Sequence, residues 1–144
     1  WVVLGKHKSL EVSTPWAYTT YRHQFGQTYK QPEEFSARVT SVESGELVEA
    51  IAKGDSRGIG KHLHNDLEKV VLPAYPEVAK LREAFQHSDA IGTMMSGSGP
   101  TVFGLCESKA QAETVKQQVT QRVADPDLKL WVTPFSGHGI AIGT

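Results

Sequence analysis

Between residues 94 and 103 the chain reads MMSGSGPTVF, a run of small residues set between two short apolar segments. These segments, residues 90–95 and 101–106, have the length and composition of β-strands, so the sequence predicts an antiparallel pair joined by a glycine-rich turn. Glycine allows main-chain N–H groups to converge on a ligand, and neighbouring serine hydroxyls add donors. The turn is therefore a candidate anion-binding loop made of Ser96, Gly97, Ser98 and Gly99.

The composition around this loop is that of a single folded domain. The chain has 144 residues, of which 39% are hydrophobic and 22% charged, and its formal net charge is −1. Nucleic-acid binding is disfavoured, because there is no basic cluster with interleaved aromatic residues. A membrane-spanning helix is not expected, since no apolar run approaches the ~20 residues that it needs. The single cysteine, Cys106, lies in an apolar run and is expected to be a buried small hydrophobe rather than a nucleophile.

Near the start of the chain the pattern predicts a strand followed by a helix. Residues 1–4 are apolar and β-branched and end at a glycine, as a strand does before a turn. Thr14 followed by Pro15 is typical of a helix N-cap and first helical position, so a short helix to about Tyr21 is expected. The polar, aperiodic residues 22–42 predict a long surface loop.

Three further helices are predicted before the glycine-rich loop. Apolar residues at helical spacing indicate helices over residues 47–52 and 55–72, and proline then separates a third helix over 76–85. The second helix has an apolar face that repeats at steps of four, four and three. Its expected extent places Asn65 and Asp66 midway along a helix.

The region after the loop completes the fold prediction. Ser108 with Gln111 forms a capping-box pattern that opens a helix, and a strand over residues 128–135 follows. Glycines around residues 140–142 suggest a final edge strand or an irregular tail. The order is βαββαβ with extra helices inserted after the first strand. The fold class is therefore α+β, an antiparallel sheet covered on one face by helices in a ferredoxin-like arrangement.

Three common loop chemistries fit the glycine-rich turn poorly. A Walker A loop needs a lysine after its second glycine, and the lysine is missing here. A dinucleotide-binding loop needs a third glycine and opens a helix. A nucleophile elbow needs glycine two positions before and after its serine, where Ser98 has Ser96 and Pro100. A plain hairpin turn stays open as the alternative to anion binding.

A longer stretch, MSGSGPTVFGL over residues 95–105, closely resembles the third sequence motif of the GHMP kinases, a group that includes galactokinase, homoserine kinase and mevalonate kinase. VSTPWAY over 12–18 and HNDLE over 64–68 resemble the branch whose substrate is diphosphocytidyl-methylerythritol, in the non-mevalonate isoprenoid pathway. The resemblance covers residues 1 to about 106. It implies a two-domain enzyme that transfers the γ-phosphoryl group of ATP to a substrate hydroxyl, and residues 1–144 look like its single C-terminal, substrate-binding domain.

The resemblance also implies that the active site is divided between two domains. The ATP-phosphate loop and the groups that activate the hydroxyl lie in the family's N-terminal half, so no catalytic residue is expected in this chain, and the chain alone is not expected to catalyse. ATP and Mg²⁺ are expected in the full-length enzyme, with Mg²⁺ held mostly by phosphate oxygens and water. The implied partners are the small-molecule substrate and the missing N-terminal domain, with no nucleic acid and no membrane. The implied location is a bacterial cytoplasm or a plastid stroma.

Site residues are carried over only at matched positions. The loop from Ser96 to Gly99 is expected to hold the substrate-side phosphates or the transferring phosphoryl group, and Thr14 and Pro15 to border the substrate pocket. Tyr18 could stack on the cytosine ring. Tyr18 and Thr14 also have plainer roles. Tyr18 could be a half-buried helix aromatic, and Thr14 could be an N-cap whose hydroxyl is already engaged.

For the helix positions Asn65 and Asp66 two interpretations stay open, groups that face the substrate pocket or solvated polar groups. His62 and His64 are two residues apart, so on a helix they would point to different faces, and no metal site is expected. At the level of function, another GHMP kinase such as homoserine kinase shares the glycine motif. A non-catalytic ligand-binding domain could use the same α+β fold.

Overall fold

The structure, a computed structural model, describes residues 1–28 and 45–137 and has the expected order of strands and helices. Numbered in chain order, the elements are β1 (Val2–His7), α1 (Thr14–Phe25), a short 3-10 helix (Gly26–Thr28), α2 (Glu46–Lys53), α3 (Ser56–His62), α4 (Glu68–Ala74), α5 (Pro76–Gln86), β2 (Gly92–Met95), β3 (Val102–Leu105), α6 (Lys109–Val123) and β4 (Leu128–Thr133). None of the helices in these two ranges is long and apolar enough to cross a membrane.

The four strands form one antiparallel sheet in the order β2-β3-β1-β4. In the centre, Val3 of β1 lies opposite Gly104 of β3 and opposite Val132 of β4. At the β2 side, Met95 lies opposite Val102, so the glycine-rich turn connects neighbouring antiparallel strands, as the sequence predicts. The strand order and directions confirm the α+β prediction.

Helices α5 and α6 pack against the sheet and form the core with it. Phe85 of α5 is fully buried and lies over β1 and β3, where Gly5 and Gly104 allow the close approach of its ring. A Cβ at either glycine would be 2.9 Å from a carbon of that ring. Each buried Val, Leu or Phe side chain stabilises the fold by about 1.5–3 kcal/mol. The apolar residues that repeat at helical spacing in α5 and α6 are all buried, namely Val78, Leu81, Phe85, Val115, Val119 and Val123.

Helix α1 differs from the sequence prediction at both ends. Ser13, not Thr14, is the N-cap, and its hydroxyl accepts a hydrogen bond from the Trp16 amide. The helix continues to Phe25, beyond the expected end at Tyr21. The ring centroids of Tyr21 and Phe25 are 5.2 Å apart, and this apolar contact one turn apart favours helix beyond Tyr21. The predicted surface loop is therefore wrong for residues 22–25, and residues 29–44 lie outside the described residues.

The helix predicted over residues 55–72 is two helices, α3 and α4, separated by residues 63–67. The interruption has a local cause at Asn65, whose side-chain oxygen accepts a hydrogen bond from the Leu67 amide and so offers the backbone an alternative to the helix. Pro73, expected to end the helix, lies inside the last turn of α4. The placement of Asn65 and Asp66 midway along a helix was therefore wrong.

The C-terminal elements follow the sequence prediction more closely. Ser108 caps α6 by accepting a hydrogen bond from the Gln111 amide. Strand β4 ends at Thr133, two residues before the predicted end. Cys106 is buried, and burial raises the pKa of its thiol, as suits a core residue rather than a nucleophile. The edge strand suggested around residues 140–142 lies outside the described residues.

Candidate functional site

The glycine-rich turn between β2 and β3 is held by two main-chain hydrogen bonds. The Ser96 amide donates to the Thr101 carbonyl at 2.8 Å, and the Gly99 amide donates to the Ser96 carbonyl at 2.9 Å. Gly97 has a φ of +55° and Gly99 a φ of +79°, which are left-handed conformations that favour glycine. At Gly97 glycine is needed for the path of the backbone rather than for space, because a Cβ there would meet no atom of the described residues within 4 Å.

This turn leaves several donors available. Within residues 1–28 and 45–137, the amides of Gly97 and Ser98 and the hydroxyl of Ser96 make no hydrogen bond to the protein. Ser96 and Gly97 are exposed. Amides at a turn with a positive φ form the concave arrangement that binds anions in other proteins. These donors are available to an anion, and phosphate binding by the loop stays a prediction.

The start of α1 lies against this loop, although 84 positions separate the two in sequence. The hydroxyl oxygens of Thr14 and Ser98 are 2.7 Å apart. Because Ser13 takes the capping role, the hydroxyl of Thr14 is available for this contact, and the interpretation of Thr14 as the N-cap was wrong. The contact brings the positive end of the α1 dipole close to the candidate anion site.

Asn65 connects the segment between α3 and α4 to the same loop. Its side-chain nitrogen donates to the carbonyls of Met95 and Gly97, each at 2.8 Å. Its oxygen accepts from the Leu67 amide at 3.0 Å. Both amide hydrogens of Asn65 are thus used within the protein, which makes this side chain a support for the loop.

The carboxylate of Asp66 is hydrogen-bonded to side chains outside the loop. Its carboxylate accepts from the Lys69 ammonium at 2.7 Å and lies 3.0 Å from Nε2 of His64. The hydrogen bond from Lys69, followed by that from His64, lowers the pKa of Asp66 to about 2. Asp66 is thus ionised at neutral pH, within a small exposed cluster of charges beside α4.

Tyr18 and Pro15 line a surface cavity of about 270 Å³ together with Thr19 and Arg22. These four residues share one face of α1, since their spacing is three, one and three residues. The side chain of Tyr18 is 55% exposed, which leaves its ring available for stacking. The sequence analysis missed Arg22, although its position one turn after Tyr18 was a usable signal.

A second group missed by the sequence analysis lies behind the loop. The Glu68 carboxylate accepts from Nε of Arg82 at 2.9 Å and from the Met95 amide at 2.7 Å. The side chains of Glu68 and Arg82 are only 21% and 18% exposed. Glu68 is the last residue of the HNDLE stretch, and this was the one sequence signal for it.

The histidines make separate contacts. Nδ1 of His62 is 3.2 Å from the carboxylate of Glu46, while His64 contacts Asp66. In the part of the chain that the structure describes, no group of three or more His, Cys, Asp or Glu side chains is arranged to hold a metal ion.

Comparison with known proteins identifies the relatives of this chain. Residues 47–125 match the family model described as "GHMP kinases C terminal". The chain is 55% identical, over 99% of its length, to the 4-diphosphocytidyl-2-C-methyl-D-erythritol kinase of Trichormus variabilis, and 56% identical to the protein of the same name from Nostoc punctiforme. The chain spans 45% of the length of each of these relatives.

Solved structures support the fold. A homoserine kinase from Cytophaga hutchinsonii matches 90% of this chain and 39% of its own, with a TM-score of 0.64 at 22% identity. A 4-(cytidine 5'-diphospho)-2C-methyl-D-erythritol kinase matches 90% of this chain and 41% of its own, with a TM-score of 0.58 at 24% identity. At these identities the likeness shows the shared fold of the domain.

Proposed function

This chain belongs to the GHMP kinase family, and on that premise we propose that it is the C-terminal, substrate-binding domain of a two-domain kinase. The complete protein transfers the γ-phosphoryl group of ATP to the 2-hydroxyl of 4-diphosphocytidyl-2-C-methyl-D-erythritol, in the non-mevalonate route to isoprenoid precursors. Support for this substrate comes from the relatives of that name, which are 55–56% identical over nearly the whole chain.

The contact between Thr14 and Ser98 is the observation that carries the proposal. It joins the TPWAY stretch to the glycine-rich loop and so brings two parts of the resemblance to one place. Among residues 1–28 and 45–137 the amides of Gly97 and Ser98 have no hydrogen-bond partner, so they can donate to phosphate oxygens. We assign the loop from Ser96 to Gly99 to the diphosphate of the substrate or to the phosphoryl group in transfer.

The cavity on α1 is the proposed position of the nucleobase. Tyr18 offers a flat ring for stacking on cytosine, and such stacking contributes about 1–3 kcal/mol per base in proteins that bind single-stranded nucleic acids. Thr14 and Pro15 border the space between this cavity and the loop. Arg22 adds a positive charge at the cavity, and it makes no ion pair among the described residues.

The remaining chemistry belongs to the N-terminal domain in this proposal. ATP supplies the phosphoryl group, and Mg²⁺ bound with it neutralises the charge that develops on the phosphate oxygens. Residues of this chain bind and orient the acceptor hydroxyl, and they exchange no proton with it. The isolated chain therefore binds the diphosphocytidyl substrate weakly and does not turn it over.

The test uses the complete protein with a panel of acceptors. Purified protein is assayed with ATP and, in parallel, the diphosphocytidyl substrate, homoserine and mevalonate. We expect kcat/KM to be highest for the diphosphocytidyl substrate. A preference for homoserine would favour the other branch of the family. Binding of cytidine compounds without any phosphoryl transfer would favour a non-catalytic binding domain.

A loop variant separates the role of the loop from that of the fold. Gly97→Val forces a β-branched residue into a left-handed conformation and displaces the adjacent amides. Loss of one anion-binding donor in an active site lowers kcat by about 100-fold or more, and we expect a loss of this size. Gly137→Val is the matched control, because that glycine has no left-handed φ and no atom of the described part of the chain lies within 4 Å of its Cβ position. Full activity of Gly97→Val would remove the phosphate role of the loop.

A further inference from the structure

The edge of the sheet beside the glycine-rich loop is completed by side chains. Within residues 1–28 and 45–137, strand β2 is an outer strand of the sheet and pairs only with β3. On its open side, the Met95 amide donates to the carboxylate of Glu68 at 2.7 Å, and the Met95 carbonyl accepts from the side chain of Asn65 at 2.8 Å. Glu68 and Asn65 therefore occupy both main-chain groups of Met95, as a neighbouring strand would.

Glu68 is itself fixed by Arg82 on the neighbouring helix. Nε of Arg82 donates to the same carboxylate oxygen that accepts from Met95. The Nη1 group of Arg82 also donates to the hydroxyl of Thr93 on β2. One ion pair thus connects α4, α5 and the outer strand, and its low exposure limits competition from water.

Met95 is the last residue of β2 and leads directly into the loop. Its side chain is fully buried, and its sulfur would be 2.9 Å from a Cβ on Gly99, so the loop rests on Met95. Asn65 also holds the Gly97 carbonyl. The position of the Met95 backbone therefore sets where the amides of Gly97 and Ser98 point.

We propose that Glu68, held by Arg82, is a positioning residue for the glycine-rich loop. It makes no contact with the Gly97 and Ser98 amides and acts on them through the backbone of Met95. The effect of Glu68 on turnover rests on the proposed function, because the loop matters for catalysis only if the loop holds phosphate. Its consequence for the loop's own order does not depend on that function.

The first test therefore measures the loop without any substrate. Amide hydrogen exchange is recorded by NMR for wild type, Glu68→Ala, Glu68→Gln and Glu83→Gln in the 144-residue chain. A hydrogen bond to a charged group typically carries enough free energy for exchange of the Met95 amide to rise by about 10-fold to 100-fold in Glu68→Ala. Glu68→Gln keeps an oxygen acceptor and should restore part of the protection. Glu83→Gln changes the same charge at an exposed position on α5 and should leave the Met95 amide unchanged.

The second test measures steady-state kinetics of the complete protein with the same four forms. We expect Glu68→Ala to lower kcat by about 10-fold or more, by loss of transition-state contacts, with a smaller change in KM. The kcat of Glu68→Gln should lie between those of Glu68→Ala and wild type. Unchanged exchange at Met95 in Glu68→Ala would overturn the positioning role whatever the activity. If exchange rises but wild type does not phosphorylate the diphosphocytidyl substrate, the proposed function fails and the positioning role stands.

If Glu68→Ala does not fold, the Arg82→Lys variant carries the test. Lysine retains the charge but cannot donate to both Glu68 and Thr93 in the forked geometry of arginine. Faster exchange at Met95 than in Glu83→Gln would support the proposal. Exchange equal to that of the control would contradict it.

Discussion

Replacing the two glycines of the loop by alanine should separate backbone strain from steric overlap. At Gly97 the obstacle is the φ of +55°, since no atom of residues 1–28 and 45–137 lies within 4 Å of the Cβ position. The left-handed conformation costs a non-glycine residue about 1–2 kcal/mol. Gly99, at a φ of +79°, has the same cost, and its new Cβ would also lie 2.9 Å from the Met95 sulfur. Overpacking in a core adds about 1–3 kcal/mol.

We therefore expect Gly97→Ala to lower the free energy of unfolding by about 1–2 kcal/mol and Gly99→Ala by about 2–5 kcal/mol. Gly137→Ala has neither obstacle and should lie within about 0.5 kcal/mol of wild type. Urea unfolding of the 144-residue chain, followed by circular dichroism, measures all three. The reasoning is refuted if Gly99→Ala is as stable as Gly97→Ala, or if both match Gly137→Ala.

Three further predictions concern residues around the loop. Ser13→Ala should lower the unfolding free energy by about 1 kcal/mol through loss of the cap. Thr14→Val should change stability less and should lower kcat/KM. A larger loss of stability in Thr14→Val than in Ser13→Ala would show that Thr14 is the cap. The pKa of Asp66 is lowered from 3.8 to about 2, so its carboxylate stabilises the fold above pH 4 and this contribution disappears towards pH 2. Because the pair with Lys69 is half-exposed, the contribution is about 1 kcal/mol or less. An Asp66→Asn variant whose unfolding free energy has the same pH dependence as wild type would contradict this. Tyr18→Ala should raise KM for the diphosphocytidyl substrate about tenfold, whereas Tyr18→Phe should leave it unchanged. A KM of Tyr18→Ala equal to that of wild type would exclude stacking.

The strand pair and its turn could be predicted from the sequence, because their signals are local. Glycine and serine between two apolar segments specify a hairpin, and Gly97 and Gly99 take the left-handed conformations that such a turn uses. The buried faces of α5 and α6 can be predicted in the same way, since apolar residues repeat there at helical spacing. In these regions periodicity and turn chemistry agree with the tertiary fold.

The errors occurred where a polar side chain bonds to a distant or non-helical partner. Ser13 and Thr14 are both good caps, and the sequence does not show that Thr14 instead contacts Ser98, 84 residues away. Apolar periodicity across residues 55–72 gave no sign of the break at Asn65, because it does not register this side chain's hydrogen bonds to the Leu67 amide and to the strand edge 30 residues away. Sequence periodicity reports burial but not which main-chain groups need a partner.

The ion pair of Glu68 and Arg82 was missed for the same reason. The two residues are 14 positions apart on different helices, and the Glu68 oxygen that accepts from Arg82 also accepts from the Met95 amide. A glutamate in a helix is by default assigned to solvent. Only the three-dimensional positions of α5 and the outer strand give it the Arg82 and Met95 partners.

Binding of the substrate's phosphates by the glycine-rich loop is the step on which the proposed function depends most. The direct measurement is an NMR titration of the complete protein, labelled with ¹⁵N, with the diphosphocytidyl substrate in the absence of ATP. We predict saturable shifts of the Gly97 and Ser98 amide resonances, with the Gly137 resonance unchanged. Saturable shifts elsewhere with the Gly97 and Ser98 resonances unmoved would contradict the account.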